Sequence, residues 1–380
     1  MIEEERYMER ALALAGGALG FVFPNPLVGA VVVSGSEIVG EGYHRGPGSP
    51  HAEREAIGNA GERARGATLY LNLEPCCHYG NTPPCTESIF EAGIARVVFS
   101  MYDPDPRVRG TGAAFLRERG IDVTVGIGAR EALELNLPYV HRSITGRPFV
   151  VLKLASTLDG RLTVEGREWL TGGTAREYAH YLRSWTEAIA VGIGTVEADD
   201  PALDRRYCRE ALPPPVRMVL DTALRFPPGH RWLEKGERTI LYCGGGVDAI
   251  RRARLEEAGA VVAPLPVHDG RLDLTAWLDD VAGRGIGSVL VEGGGRVATS
   301  MLGAGLFERL VLLYAPFVSG AAGIPWYGEH SAPPWLDRGE LVPVNLHRLG
   351  EDVVMAFDRR SITDYLRIVT EEGALVHGIG

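Results

Sequence analysis

The stretch LEPCCHYGNTPPC, Leu73 to Cys85, concentrates residue types that a plain connecting loop does not need. It holds three of the chain's five cysteines, one histidine and three prolines. Four interpretations are open for this cluster: a disulfide, a structural metal site, a catalytic metal site or a reactive thiol. The residues around the cluster decide among these interpretations and, with them, the fold of this half of the chain.

The bulk composition favours a metal site or a catalytic role over a disulfide. The 380 residues predict two or three domains, and 45% hydrophobic with 23% charged residues predicts packed cores. The net charge of −10 argues against a nucleic-acid-binding surface. The chain starts with an acidic segment, and no apolar run is long enough to span a membrane. We therefore expect a cytoplasmic protein without membrane association, whose thiols stay reduced.

The first 141 residues alternate between helical and strand-like hydrophobic patterns. The predicted helices are 4–19, 51–60, 86–92, 112–119 and 129–141, and the predicted strands are 28–33, 38–40, 67–73, 96–100 and 121–125. Residues 142–148 read as a linker. This order is typical of an α/β domain built on one sheet.

A second α/β pattern follows the linker. Its predicted strands are 149–154, 188–191, 217–220, 239–242, 260–262, 288–291 and 310–314, and its predicted helices are 174–185, 249–258, 274–283 and 296–304. The sequence thus predicts two domains, 1–146 and 147–380. The tail 360–380 has weak patterning and stays unassigned.

Two cysteines of the opening cluster, Cys76 and Cys85, need a further soft ligand to hold a metal, and His51 is the best candidate. A His/Cys/Cys zinc site leaves one position for water, as catalytic zinc sites do. Zinc lowers the pKa of that water, so that hydroxide forms at working pH. Glu53, two residues after His51, is placed to shuttle protons, as the non-ligand glutamate of zinc deaminases does.

These residues carry a family resemblance. HAE at 51–53 with PCC…C resembles the cytidine deaminase superfamily, although eight residues here separate Cys76 from Cys85 where the superfamily usually has two. The long form PCCHYGNTPPC, with NPLVGAVVV and GEGYHRGPGSPHAE upstream, resembles the deaminase half of the bifunctional riboflavin-biosynthesis deaminase/reductase family. The match covers most of residues 1–146. It implies a cytidine-deaminase-like α/β/α domain.

The resemblance also implies residue roles in this domain. His51, Cys76 and Cys85 would bind zinc, and Glu53 would be the proton shuttle. The residues implied to bind the pyrimidine substrate are Asn25, His44, His78 and Asn81. Cys77 would not be a ligand. Three alternatives stay open: Asn25 could only start a turn before its proline, His44 could be a solvated loop residue, and His78 could be a fourth ligand of a structural zinc.

The second half has one glycine-rich turn between a strand and a helix, VLVEGGGRVATSML at Val289–Leu302. The spacing is not that of a standard Rossmann turn, but such a helix start can receive a phosphate. This turn, together with VLKLASTLDGRL, WLTG and HYLRSWTEAIAVGIGTVEADDPAL, resembles the reductase half of the same family. The match covers about residues 147–358 and implies a dihydrofolate-reductase-like α/β domain that uses NADPH.

The resemblance implies two sets of residues in this second domain. Those expected to touch NADPH are Ala155, Trp169, Thr195, Asp199, Gly294, Gly295, Arg296, Val297, Ala298, Thr299 and Ser300. Those expected to hold the substrate are Arg167, Arg183, Leu203, Arg206 and Glu292. Arg167 stands where family members often have a small hydroxyl residue.

Reduction of a ribose at its anomeric carbon requires ring opening and therefore proton transfer. We expect Lys153 and Asp199 to supply it and to form an ion pair with each other. Each has a plainer alternative, because Lys153 could lie on the surface and Asp199 could only be part of a turn.

The sequence therefore predicts an enzyme with two consecutive activities. The first half would deaminate 2,5-diamino-6-ribosylamino-4(3H)-pyrimidinone 5′-phosphate, and the second would reduce the ribosyl chain to ribityl with NADPH. We expect small phosphorylated substrates, no nucleic-acid partner and a homo-oligomer. Two other functions stay open: a nucleic-acid base deaminase with an accessory domain, and a zinc-stabilised binding module. Glu53 counts against the second, because merely holding zinc does not need it.

Overall fold

The computed structural model describes residues 2–77, 83–167, 169–206, 212–234, 238–320, 323–328 and 339–371. The chain forms two compact units. The first comprises residues 1–146 and 363–380, and the second comprises 147–362. The last stretch of the predicted second domain therefore belongs to the first unit, which the weak patterning of that stretch gave no means to foresee.

The first unit contains one five-stranded sheet in the order β2-β1-β3-β4-β5. β1 pairs antiparallel with β2 and β3, whereas β3, β4 and β5 run parallel. Its strands are β1 (Gly29–Ser34), β2 (Glu37–Tyr43), β3 (Thr68–Leu71), β4 (Arg96–Phe99) and β5 (Asp122–Val125). Its helices are α1 (Ile2–Gly16), α2 (Ala52–Ala60), α3 (Cys85–Glu91), α4 (Thr111–Glu118), α5 (Ala129–Thr145) and α11 (Tyr365–Thr370).

Alternate residues of the buried strands serve the two faces of this sheet. Val31 and Val33 of β1 pack with Tyr7 and Met8 of α1. Val32, between them, packs on the opposite face in a cluster that also holds residues of α2, α3 and α4. Because a strand points successive side chains to opposite faces, helices cover both sides. The result is the expected three-layer α/β/α domain.

A close approach fixes α2, the helix that follows His51, on the edge strand β2. A Cβ atom added to Gly42 would lie 2.6 Å from both the Ala52 carbonyl oxygen and the Ala56 nitrogen. Only glycine permits backbones to approach so closely. The small residues of β2 and α2 therefore set the position of the helix that carries Glu53.

The second unit is built on a nine-stranded sheet in the order β10-β9-β8-β7-β13-β6-β14-β16-β15. The strands from β10 to β14 in this order are parallel, and β16 and β15 add antiparallel at one edge. The strands are β6 (Phe149–Thr157), β7 (Ala188–Gly192), β8 (Val216–Leu220), β9 (Thr239–Gly244), β10 (Val261–Leu265), β13 (Ser288–Val291), β14 (Arg309–Ala315), β15 (Leu341–Leu349) and β16 (Asp352–Arg359). A separate hairpin consists of β11 (Val267–His268) and β12 (Arg271–Leu272).

Helices cover this sheet as well, and they are α6 (Gly173–Trp185), α7 (Ile193–Asp199), α8 (Ala249–Glu257), α9 (Leu274–Gly283) and α10 (Gly295–Ala304). One face packs in a cluster that includes Trp277 of α9 and Met301 of α10. The other packs in a cluster that includes Val196 of α7 and Leu255 of α8. This is the expected dihydrofolate-reductase-like α/β domain.

The predicted linker 142–148 is wrong at its start. Helix α5 continues to Thr145, and Gly146 ends it in the left-handed region with φ of 72°, its amide donating to the Arg142 carbonyl at 2.8 Å. Only residues 146–148 connect the two units here. No helix in the described ranges combines the length and apolar character needed to cross a bilayer.

Candidate active sites

The three predicted zinc ligands come together in the first unit. His51 directly precedes α2, Cys76 follows β3, and Cys85 is the first residue of α3. The Nδ1 atom of His51 lies 3.2 Å from Cys85 Sγ and 3.6 Å from Cys76 Sγ. All three ligand atoms lie within 4.8 Å of one another. Residues far apart in sequence thus form one donor set.

The donor set suits a zinc ion by its chemistry. Two sulfurs and one imidazole nitrogen are soft and borderline ligands, and three protein ligands leave a coordination position open. The amide of Cys85 donates to Cys76 Sγ at 3.4 Å, and the amide of Thr86 donates to the Cys76 carbonyl at 3.2 Å. Hydrogen bonding with Cys85, and then with His51, lowers the pKa of the Cys76 thiol. Zinc requires that thiolate form.

Glu53 lies beside the donor set without belonging to it. It is buried within α2, and burial is the main cause that raises the pKa of its carboxyl. The neighbouring Cys76 raises this pKa further. A carboxyl with a raised pKa next to a metal site can both take up and release a proton.

Asn25 and His44 form a hydrogen-bonded pair next to the ligand His51. The Pro50 carbonyl lies 3.2 Å from His44 Nδ1, which therefore carries the proton, and His44 Nε2 accepts from Asn25 Nδ2 at 3.0 Å. The rings of His44 and His51 meet edge to face at 5.7 Å. Burial lowers the pKa of His44, which keeps it neutral in this role. The other two predicted substrate residues, His78 and Asn81, lie outside the described residues.

Two buried asparagines that the sequence reasoning missed hold the loop that carries Asn25. Asn136 of α5 accepts from the Leu27 amide at 2.7 Å and donates to the Leu27 carbonyl at 2.9 Å. Asn72 donates to the same carbonyl and accepts from the Gly29 amide, each at 2.8 Å. Both side chains thus bond to backbone groups near the start of β1, as a neighbouring strand would. The available signal was a lone amide residue in each of two apolar stretches, YLNLEP and LELNLPYV.

Glu74, also missed, organises the backbone next to Cys76. Its buried carboxylate accepts from the amides of Asp103 at 3.1 Å, Gly110 at 2.9 Å and Ala113 at 3.0 Å. Asp103 and Gly110 belong to the segment between β4 and α4, and Ala113 lies in the first turn of α4. A single carboxylate therefore ties that segment to the strand end that leads into the ligand.

In the second unit, a charged cluster forms where β6 and β13 run side by side. Lys153 Nζ of β6 lies 3.5 Å from Glu292 Oε2, one residue beyond β13. Arg183 of α6 donates to both Glu292 oxygens, at 2.5 and 3.1 Å. Burial alone would raise the pKa of Glu292, but Arg183 and Lys153 outweigh it and hold the pKa at about 2. Glu292 is therefore an anion that orients two cations.

The predicted ion pair between Lys153 and Asp199 is wrong. Asp199 is the last residue of α7, and its described contacts include no ion pair with Lys153. Burial raises the pKa of Asp199, a shift opposite to that expected beside an ammonium group. The sequence reasoning underrated Glu292 as a partner because parallel pairing of β6 with β13, which places the two side by side, cannot be read from spacing.

The loop after α7 holds two residues in the left-handed region, Asp200 with φ of 38° and Leu203 with φ of 44°. Such conformations in non-glycine residues persist only where surrounding contacts impose them. The Asp200 carboxylate accepts from His230 Nε2 at 2.8 Å. Further along, the Arg206 amide donates to His180 Nδ1 at 3.1 Å. The predicted substrate residues Leu203 and Arg206 thus lie on a constrained loop.

That loop also reaches Arg183, whose Nη1 donates to the Asp204 carbonyl at 3.1 Å. The structure therefore joins Lys153, Arg183 and Glu292 to the loop of Leu203 and Arg206. The link between the charged cluster and the loop runs through Asp204, which lies between Leu203 and Arg206.

The glycine-rich turn begins α10 beside α7. A Cβ atom added to Gly293 would lie 2.9 Å from the Val297 Cβ, and one added to Gly295 would lie 2.6 Å from the Pro325 carbonyl oxygen. One added to Gly294 would make an ordinary contact with Thr195 Oγ1 at 3.4 Å. The turn therefore has room for backbone only at Gly293 and Gly295. The amides of its first turn, Gly294 to Val297, lack partners within the helix.

The other predicted cofactor residues divide into two groups. Ala155 alternates with Lys153 on the same partly exposed face of β6. Ala298 and Thr299 are buried, and Thr299 Oγ1 accepts from the Gly328 amide at 2.9 Å, whereas Ser300 lies 3.4 Å from Arg271 Nη1. The side chains of Ala298 and Thr299 thus serve packing.

Arg167 and Trp169 have their contacts elsewhere on the second unit. The Arg167 guanidinium lies 4.4 Å from the centroid of the Phe317 ring, and Arg176 lies 4.8 Å from that of Trp169. Trp169 is 56% exposed. An exposed ring at this place is available for stacking on a ligand.

Comparison with known proteins gives matches over both units. Residues 148–355 match the model of the RibD C-terminal domain, and residues 1–101 match that of the cytidine and deoxycytidylate deaminase zinc-binding region. The chain is 40% identical over 335 residues to the riboflavin biosynthesis protein RibD of Escherichia coli, covering 84% of this chain and 89% of that one. It is also 40% identical over 359 residues to RibD of Aquifex aeolicus, covering 94% and 98%.

Solved structures agree over most of the chain. RibD of Acinetobacter baumannii superposes with a TM-score of 0.83 at 32% identity, covering 94% of this chain and 99% of that one. A diaminohydroxyphosphoribosylaminopyrimidine deaminase/5-amino-6-(5-phosphoribosylamino)uracil reductase from Thermotoga maritima gives a TM-score of 0.81 at 34% identity with the same coverage.

Proposed function

This chain belongs to the RibD family of riboflavin biosynthesis proteins, and on that premise we propose how its own residues divide the work of two reactions. It is a bifunctional enzyme that uses zinc and NADPH. It deaminates 2,5-diamino-6-ribosylamino-4(3H)-pyrimidinone 5′-phosphate, and it reduces the ribosyl group of 5-amino-6-(5-phosphoribosylamino)uracil to ribityl. The sequence left two other functions open, a nucleic-acid base deaminase and a zinc-stabilised binding module. Because both domains of the family are present, neither is proposed.

For the deaminase, we assign zinc binding to His51, Cys76 and Cys85. Bound zinc supplies a Lewis acid that lowers the pKa of water towards neutrality. Glu53 accepts the proton of the attacking water and returns it to the leaving amine, and the pKa that burial raises supports this exchange. Because the Asn25 Nδ2 group donates to His44, its Oδ1 atom is left to accept a hydrogen bond from the pyrimidine ring. His78 and Asn81 remain predicted pocket residues.

For the reductase, we assign proton transfer at the anomeric centre to Lys153, which Glu292 holds in place through their ion pair. Arg183, Leu203 and Arg206 hold the phosphorylated substrate, with arginine suited to bidentate phosphate binding. Bound NADPH supplies the hydride. Asp199 lies at the end of α7, where its raised pKa is compatible with a second proton-transfer role.

The residues at the first turn of α10, beside Thr195, would hold the cofactor's phosphates, because the first amides of a helix lack partners within it. Ala155 and Trp169 would flank its rings. The family resemblance assigns Arg167 to the substrate. Arg167→Ala should therefore raise the KM for the phosphorylated substrate more than that for NADPH.

The observation that carries the proposal is the convergence of His51, Cys76 and Cys85 on one point, with Glu53 beside them. Glu53→Gln removes the proton shuttle and preserves the size of the side chain. We expect ammonia release to fall by about 100-fold or more, while zinc content stays near one per chain. Glu55→Gln, on the same helix, is the matched control and should keep both. Full ammonia release by the Glu53→Gln protein would overturn the assignment.

We further propose that the enzyme is a cytoplasmic homo-oligomer that acts on small phosphorylated pyrimidines. Sedimentation equilibrium of the purified full chain at micromolar concentration tests the assembly. A mass equal to that of one chain at all concentrations would refute it.

A further inference from the structure

We propose that residues 363–371, which follow the reductase in the chain, complete the deaminase and position its active site. This inference rests on the deaminase function proposed above. The starting observation is the path of the chain, which enters the second unit after residue 146 and returns to the first unit after residue 362. The reductase therefore lies, in sequence, between two parts of the deaminase.

The returning segment is docked by an apolar helix face. In α11, the residues Tyr365, Ile368 and Val369 recur at the spacing of one helical face and are all buried. The helix packs on α5. Burying three such side chains favours docking through the hydrophobic effect.

Polar contacts fix the register of this docking. The Tyr365 hydroxyl and His141 Nδ1 of α5 are 2.8 Å apart. The Tyr102 amide donates to the Val369 carbonyl at 2.8 Å, and Arg109 Nη2 donates to the Glu371 carbonyl at 2.5 Å. The segment therefore bonds to α5 and to both ends of the stretch 102–109.

The stretch 102–109 is connected to the zinc ligand Cys76 through hydrogen bonds to Glu74. Between Tyr102 and Arg109 lies Asp103, which accepts from the Tyr139 hydroxyl of α5 at 3.2 Å and whose amide donates to Glu74. Gly110, next to Arg109, donates to the same carboxylate. Glu74 precedes Cys76 by two residues. The returning segment thus holds the ends of the stretch that Glu74 ties to a metal ligand.

The returning segment also contacts α5, which supports the loop that carries Asn25. This helix carries both His141, which contacts the returning segment, and Asn136, which pins the Leu27 backbone two residues after Asn25. Undocking the segment would loosen the helix behind the substrate loop. The buried residues Tyr365, Ile368 and Val369 are therefore positioning residues, which act on the deaminase site through α5 and the stretch 102–109.

Two aspartate substitutions at neighbouring positions of α11 test the proposal in the full chain. Ile368→Asp places a charge on the buried face, whereas Arg367→Asp places one on the exposed face of the same turn. We expect Ile368→Asp to lower the kcat of ammonia release by about 10-fold to 100-fold, because displacing catalytic groups by on the order of 1 Å has that effect. NADPH oxidation with the deaminated substrate should stay within about twofold of wild type, since independent sites do not couple.

A chain ending at Ile362 provides the second test, because adding back a synthetic peptide of residues 363–380 separates positioning from irreversible misfolding. We expect the truncated chain to retain zinc and reductase activity, and the peptide to restore ammonia release in a saturable way. Equal deaminase activity in the Ile368→Asp and Arg367→Asp proteins, or a parallel loss of both enzyme activities, would overturn the proposal. So would a truncated chain whose ammonia release matches the full chain.

The same experiments distinguish the failure of this inference from that of the proposed function. If the wild-type chain released no ammonia, the deaminase function would fall. Binding of the fluorescently labelled peptide to the truncated chain would still report docking, as would slower amide exchange of α5 in the full chain.

Discussion

Asn136 shows how a single buried side chain can act on a catalytic loop that it does not belong to. Its side-chain amide makes two hydrogen bonds to the backbone of Leu27, which lies outside the strands that the structure describes. Asn136→Ala would leave the Leu27 amide buried without a partner. Such a loss costs about 1–3 kcal/mol of folding free energy.

We therefore expect Asn136→Ala to destabilise the first unit by that amount and to raise the KM for the pyrimidine, since Asn25 lies two residues away. Zinc release to a chromophoric chelator during chemical denaturation reports the stability of this unit. Asn59→Ala removes an exposed asparagine on α2 and should behave like wild type. Unchanged stability and KM in Asn136→Ala would contradict the role assigned to it.

Glu292 is the residue on which the charge balance of the second site depends. Its pKa falls from 4.5 to about 2 in the folded protein. A lowered carboxyl pKa contributes stability above the unfolded-state value, and this contribution is lost as pH falls from about 4.5 to about 2. Its size is about 3 kcal/mol.

All six tryptophans lie between residues 147 and 362, so tryptophan fluorescence follows unfolding of the second unit alone. Between pH 5 and pH 3, we expect the wild-type unfolding free energy to decline more steeply than that of Glu292→Gln. Glu256→Gln, which removes an exposed carboxylate on α8, should follow the wild-type slope. Identical slopes for wild type and Glu292→Gln would show that Arg183 and Lys153 do not stabilise this anion.

At the scale of elements, the packing of α2 on β2 sets the distance between the sheet and the catalytic carboxylate. Gly42→Ala would force the Cβ into the backbone of α2. We expect less than one zinc per chain and a fall in ammonia release of about tenfold, because His51 and Glu53 would shift together. Zinc content and initial rates measure both effects.

The control for this prediction lies in the same helix. A Cβ at Gly58 would meet no atom within 4 Å. Gly58→Ala should therefore keep activity and stabilise α2 by roughly 0.5–1 kcal/mol. Equal activity in the Gly42→Ala and Gly58→Ala proteins would contradict the packing argument.

Most elements could be predicted from the sequence because their periodicity is strong, as in β1 or α9. The exceptions have physical reasons. Helix α7 is short and contains Gly194, so its stability comes from packing on β7. Strand β15 lies at a sheet edge and includes Pro343, which removes the usual strand signal. Helix α11 could not be predicted because it is short and its stability comes from packing on α5.

The sites divide in the same way. The zinc ligands were predictable because cysteine and histidine are few and chemically distinctive. The partner of Lys153 was not, because the pairing of β6 with β13 joins residues 139 positions apart. The sequence did not reveal the roles of Asn72, Asn136 and Glu74. These side chains bond to backbone groups, and no sequence motif records the position of a backbone group.

At the scale of the whole molecule, the two activities use separate residues but share one chain that crosses between the units twice. The zinc site draws only on the first unit, and the Lys153–Glu292 site draws only on the second. We therefore expect a substitution in one site to abolish one reaction and to leave the other reaction unchanged. The product of the first reaction is the substrate of the second, so one assay can follow both.

The most direct test is a single assay of the purified full chain in which ammonia and NADPH are measured together. With the diamino substrate, wild type should release one ammonia for each NADPH oxidised. The Glu53→Gln protein should do neither with that substrate, yet should oxidise NADPH at the wild-type rate when given the deaminated substrate. Loss of NADPH oxidation with the deaminated substrate, or ammonia release that survives Glu53→Gln, would contradict the account.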